Sequence, residues 1–143
     1  MQRGFTLFEM LLSVSIIALL VMGMLPTTQI LLASNDMDNS VVTTVHALRE
    51  AGFFSETMKE DSQWGVNMAT STITVFKGAT YATRDTTWDE TYTFPPSITL
   101  SGIAQEVYTK NSNTPATTGT ITLTSTFYDT RTITINADGI LDY

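Results

Sequence analysis

From position 10 to position 35 the chain has no charged residue, and the run MLLSVSIIALLVMGML that opens this stretch is apolar or small throughout. Extended through Leu32, it reaches the roughly 20 residues that span a bilayer core as a helix. Its surface (Leu11, Leu12, Ile16, Ile17, Leu20 and Val21 among others) must meet either lipid or other apolar helices. An ordinary secretory signal has a basic region, a shorter apolar stretch and then a small-residue cleavage site. Here no such site follows the run. The small residue comes before it, at Gly4, beside the only leader charge, Arg3.

The rest of the chain is of another kind. Of fourteen acidic and seven basic residues, only Glu9 and Arg3 precede the uncharged stretch, so the net charge of −7 sits beyond it. An acidic head is repelled by nucleic-acid phosphates, whose binding relies on Lys and Arg displacing counterions, and no basic run appears. Nucleic acid is therefore a disfavoured partner. The chain has no cysteine, which removes disulfides, thiolate nucleophiles, cysteine-bound metals and lipid acylation at cysteine together. One histidine, His46, argues against histidine-based metal sites and Ser-His-Asp catalysis.

Glu9 is the residue out of keeping with its surroundings. A carboxylate deep in a transmembrane helix costs about 2.5–3.5 kcal/mol. It either lies near enough to the membrane edge to snorkel, helped by the positive end of the helix, or it awaits a positive partner inside the membrane. Cleavage after Gly4 would create one, the new amine of Phe5.

The string Gly4-Phe5-Thr6-Leu7-Phe8-Glu9, with a short basic leader before it and an apolar helix after it, resembles the prepilin peptidase site of type IV pilins and pseudopilins. The resemblance implies cleavage between Gly4 and Phe5, N-methylation of Phe5, and pairing of Glu9 with the Phe5 amine of a neighbouring subunit. Thr6 and Leu7 belong to the same motif. Pro26 falls where many family members carry a helix-loosening proline. Proline lacks the amide hydrogen a helix needs and crowds the preceding turn, at a cost of about 3 kcal/mol. With Gly23, Thr27 and Thr28 nearby, a kink or a segment able to unwind is expected at 23–28.

Beyond Pro26 the pattern turns amphipathic: Met37, Val41, Val45 and Leu48 recur at helical steps. Ala51-Gly52 reads as the helix end, giving a helix of about 70 Å from Phe5. From residue 63 the period becomes two, and strands are expected at 63–68, 72–77, 91–94, 98–101, 105–109, 119–126, 130–136 and 140–142. The connection 127–129, Pro95-Pro96, 112–115 and Asp138-Gly139 read as turns. The division is thus a leader at 1–4, a transmembrane polymerisation helix at 5–34, its amphipathic continuation at 35–54, and a β-rich head at 55–143. The fold class is α+β: a long helix packed on an antiparallel sheet.

A second resemblance covers the head. The order Arg49-Glu50-Ala51, Trp64-Gly65-Val66, Val75-Phe76-Lys77-Gly78 and Tyr81-Ala82-Thr83-Arg84, with 135–139 near the end, is similar to H-type minor pseudopilins and FimT-like minor pilins. Other groupings carry less. Asp129, Asp138 and Asp142 lack the spacing of a calcium loop, which must supply roughly six to eight oxygens, and Asp138-Gly139 is a turn. Asp85, Asp89 and Glu90 beside Trp88 read as a solvated loop rather than paired carboxylates. Glu56, Glu60 and Asp61 form an exposed acidic patch. Trp64 and Trp88 read as core or interface anchors.

The sequence therefore describes a non-enzymatic structural subunit with no cofactor, held in the inner membrane with its head outside the cytoplasm and then taken into a pilus or secretion pseudopilus. Its expected partners are the prepilin peptidase, other pilin-like subunits bundled through the helix, the assembly platform and the inner membrane itself. Two alternatives stand beside this: a tip-located binding pilin contacting DNA, a secreted substrate or a surface, and a membrane-anchored domain that never polymerises.

Overall fold

The computed structural model describes residues 5–126 and 129–143, with the backbone alone at 23–30; the leader 1–4 and the expected connection at Phe127 and Tyr128 lie outside the described residues. Helix α1, Leu7–Glu56, is 50 residues long, about 75 Å at 1.5 Å per residue. It is helical throughout 23–28, the segment where a kink or an ability to unwind is expected.

The helix also passes its expected end. Gly52 is buried, and a Cβ there would run into the side-chain oxygen of Asn113. Gly52 therefore serves close packing of a later loop rather than termination. The helix stops at Glu56, where Thr57 donates its backbone N–H and its hydroxyl to the Phe53 carbonyl, at 2.9 and 2.8 Å.

Eight strands follow: β1 Trp64–Met68, β2 Thr72–Lys77, β3 Asp85–Thr93, β4 Ile98–Gly102, β5 Gln105–Val107, β6 Gly119–Ser125, β7 Thr130–Ile135 and β8 Leu141–Asp142. They form two four-stranded sheets, ordered β3-β2-β1-β5 and β4-β6-β7-β8, with every pairing antiparallel. The C-terminal half of α1 packs against both. The α+β reading holds, with the antiparallel strands divided between two sheets.

The expected loop at Asp85, Asp89 and Glu90 is corrected: these residues belong to β3, where Glu90 pairs with Val75 and Asp85 with Lys77 across a bulge. This edge strand is largely exposed, so it lacks the alternation of buried apolar residues that marks a strand in sequence.

The core lies between the helix and the inner sheet faces. Met37, Val45 and Leu48 of the expected stripe are buried and Val41 is half-buried, packed with Trp64, Val66, Ile73, Ile121, Leu123 and Ile133. In the second sheet alternation is clean. Ile121 and Ile133 face each other inside, while Thr120, Thr122 and Thr124 pair with Thr134, Thr132 and Thr130 on the outer face. The first sheet is covered on its outer side as well. Phe76 points away from the helix side and meets the Tyr81 ring at 5.5 Å, and Gly65 leaves room there for Phe76 and Val107.

Candidate functional site

The N-terminal segment is built by a capped helix start. Thr6 has extended backbone (φ −77°, ψ 151°), and its hydroxyl accepts the Glu9 N–H at 3.2 Å. Its carbonyl accepts the N–H groups of Glu9 and Met10, at 3.1 and 3.2 Å. Thr-x-x-Glu is the spacing of a capping box. That role for Thr6 was readable in the sequence but masked by the larger motif. Glu9 thus sits in the first turn, where the unpaired amides of a helix favour negative charge. Among the described residues its carboxylate has no hydrogen-bond or ion-pair partner.

Every described side chain from Phe5 to Met22 is exposed, on all faces of the helix, with Phe5, Leu7 and Phe8 each about three-quarters accessible. The two serines in this segment do not interrupt its apolar character. Ser13 and Ser15 donate their hydroxyls to the carbonyls of Glu9 and Leu11, at 2.8 and 2.7 Å, satisfying themselves within the helix. A helix apolar on every side is one meant for burial, in lipid or among other helices. Among the described residues, burial along α1 begins at Ala33. Among the described residues no helix is long and apolar enough to cross a membrane.

The structure thus brings Thr6 and Glu9 together, places Phe5 and Leu7 beside them in the open, and sets Pro26 within α1. Gly4 and the side chain of Pro26 are outside the described residues.

The head offers little to rival this segment. Four cations of the head each stand beside an acid: Lys77 by Glu60 (3.9 Å), Arg84 by Asp89 (2.8 Å), Lys110 by Asp61 (2.6 Å), and Arg131 by Asp38 and Asp129 (3.9 and 3.8 Å). Among the described residues no three His, Cys, Asp or Glu side chains are placed to hold a metal ion. Tyr92 links helix to edge strand, its hydroxyl 3.2 Å from Glu50 and 2.7 Å from Glu90. Burial first, and then these carboxylates, push its phenol well above the usual range. His46 is exposed, 3.9 Å from Glu50 and edge-on to the Tyr92 ring with centroids 6.4 Å apart. Trp64 is a core anchor, 1% exposed, whereas Trp88 stands at the surface.

Glu106 was not singled out by its sequence. It is fully buried, with Oε1 accepting the N–H groups of Val107 and Thr117 at 3.1 and 3.0 Å. Its Oε2 is buried with no hydrogen-bond partner. Burial raises its carboxyl above the usual range, against the lowering effect of the backbone amides.

Residues 1–25 match the family described as the prokaryotic N-terminal methylation motif. The match ends within α1 and does not reach the head. It supports a pilin-like or pseudopilin subunit of a structural class, handled by prepilin peptidase, anchored in the membrane and then assembled with other pilins. Comparison with curated proteins gave no match, and comparison with solved structures gave none.

Proposed function

We propose that this chain is a minor structural subunit of a type IV pilus or a type II secretion pseudopilus, of the H-type, FimT-like kind. Cleavage falls between Gly4 and Phe5, Phe5 is N-methylated, and residues 5–34 act as a transmembrane helix that becomes the polymerisation helix. Residues 35–54 continue that helix onto the head at 55–143, which stands outside the cytoplasm. The observation that carries this reading is the bare helix: an apolar surface open on every side, with one unpartnered carboxylate in its first turn, inside the methylation motif.

In the assembled filament that carboxylate pairs with the Phe5 amine of a neighbour. A buried pair of this kind fixes register even where it adds little net stability, and the loss of one partner strands a charge in hydrocarbon. The partners are the peptidase, the inner-membrane assembly platform and the helices of other subunits.

Two measurements test the proposal. In cells that contain prepilin peptidase, the recovered chain is expected to begin at N-methylated Phe5, by intact mass and N-terminal sequencing. Glu9→Ala is expected to abolish recovery in sheared filament or pseudopilus fractions while the head unfolds at its usual temperature. An uncut chain beginning at Met1, with Glu9→Ala harmless, returns the protein to the class of membrane-anchored domains that do not polymerise.

A further inference from the structure

Where α1 ends, three aromatic rings stand together. Phe54 and Trp64 meet edge to face with centroids 4.8 Å apart, and Trp88 meets Trp64 in the same manner at 6.2 Å. They line a depression of about 260 Å³ that also borders Asp89 and Glu90. The ammonium of Lys59 sits among them, 3.4 Å from the Phe54 ring centroid, 5.0 Å from Trp64 and 5.8 Å from Trp88, while that of Lys77, paired with Glu60, stands 5.3 Å from the Trp88 centroid at the rim. Ring faces carry negative charge density, and several rings around one cation make the arrangement that recognises quaternary ammonium groups.

Lys59 fits the rings imperfectly. Among the described residues its ammonium has no hydrogen bond and no ion pair, although acids are close by. A primary ammonium brings three N–H donors, and aromatic walls give them poor acceptors. A quaternary ammonium has no donor to satisfy and more apolar surface to bury.

The loop that presents Lys59 is bent to do so. Met58, Glu60 and Asp61 all have positive φ (51°, 56° and 51°) without being glycine. Such residues are uncommon, and they gather at ligand clamps and switch segments. The main chain at Lys59 is tied down, its carbonyl accepting the Trp64 indole N–H at 3.0 Å. The side chain can therefore leave by rotation about its own bonds while the walls stay in place.

We propose that Phe54, Trp64 and Trp88 form a binding site for quaternary or fully methylated ammonium groups, and that Lys59 occupies it as an internal plug until such a ligand displaces it. The site is separate from the N-terminal assembly segment and does not depend on the filament reading.

Trp64 and Trp88 are the chain's two tryptophans, so fluorescence excited selectively at tryptophan reports on this site. The experiment is a titration of the full chain, in an uncharged maltoside detergent, with tetramethylammonium chloride against sodium chloride at matched concentration. A saturable change with tetramethylammonium, absent with sodium, is expected. Lys59→Gln removes the plug and is expected to tighten apparent affinity about tenfold, because the open site no longer competes with its own lysine. Trp88→Leu, at the exposed rim, is expected to abolish the response of Trp64. Equal responses to the two salts overturn the proposal, as does a folded Lys59→Gln variant that binds no more tightly than the parent. Should Lys59→Gln fail to fold, the parent and Trp88→Leu titrations decide alone. Choline and phosphocholine then separate the sources: preference for phosphocholine marks a headgroup, preference for choline a soluble amine.

Discussion

Glu106 is a carboxyl placed where a charge is costly. Burial lifts its pKa above the ordinary glutamate value of 4.5. The folded chain therefore holds this proton more tightly than the unfolded chain does. Its contribution to stability is complete below the unfolded value and is lost as pH rises through the raised one. Glu106→Gln keeps the shape and removes the charge. Thermal melts between about pH 4 and pH 7 are expected to show the parent losing stability relative to the variant as pH rises. A parallel decline in both proteins would show that the carboxylate is compensated. Nothing in the sequence marks this position: Glu106 lies in the segment expected as strand 105–109, with no motif around it. Whether a strand residue faces the core or solvent depends on which sheet covers it, a tertiary fact. Glu9 is the opposite case. It was legible because its surroundings are uniform, so one charge stands out without knowledge of the fold.

At the scale of elements, the junction between α1 and β1 depends on Ser55. Its hydroxyl accepts the Trp64 N–H at 2.7 Å and lies 3.3 Å from the Trp64 carbonyl, while its own carbonyl accepts the N–H of Asn111 at 2.8 Å. Ser55 is fully buried, so loss of its hydroxyl leaves the Trp64 N–H without that partner, while the Trp64 carbonyl keeps the N–H of Tyr108. Ser55→Ala is expected to lower unfolding free energy by about 1–3 kcal/mol, read from the urea midpoint with an unchanged slope. The apolar stripe of α1 was visible in the sequence, but the small buried residues that let strands approach it (Ser40, Thr44, Ala47, Ala51 and Ser55) were not. Periodicity registers large apolar side chains and passes over small ones. The same limit explains the strands. β2 was found at its observed bounds because its apolar residues alternate with threonines. β3 was found only at its C-terminal end, because an exposed edge imposes no pattern on its sequence.

Across the whole molecule, the two halves of α1 differ in what they need. Residues 7–22 are bare, while among the described residues burial starts at Ala33. A chain shortened to begin at residue 31 is expected to remain folded and monomeric without detergent, with the full chain's unfolding midpoint, by sedimentation and circular dichroism. Aggregation or loss of cooperative melting in that variant would mean that the head relies on the bare segment. The division was legible because a change of composition survives without structure. The partition of the head into two sheets was not, since antiparallel strands give no local sign of which neighbours they will choose.

The helix that organises the core is made before the strands that cover it, and some of its partners come much later. Arg49 meets Tyr143, 94 residues further on, with its guanidinium 3.4 Å from the phenol oxygen and over the ring, and α1 also packs on β7. Contacts between residues so distant in sequence form late, after the entropy of closing a long loop has been met. During synthesis the part of the buried stripe of α1 that meets β6 and β7 therefore waits, while β1 and β2, which follow the helix directly, cover the rest early. The bare segment 5–22 meets no such delay, because its described side chains are all exposed. Its surroundings can claim it as soon as it emerges, and the head then closes around a helix whose other end is already committed.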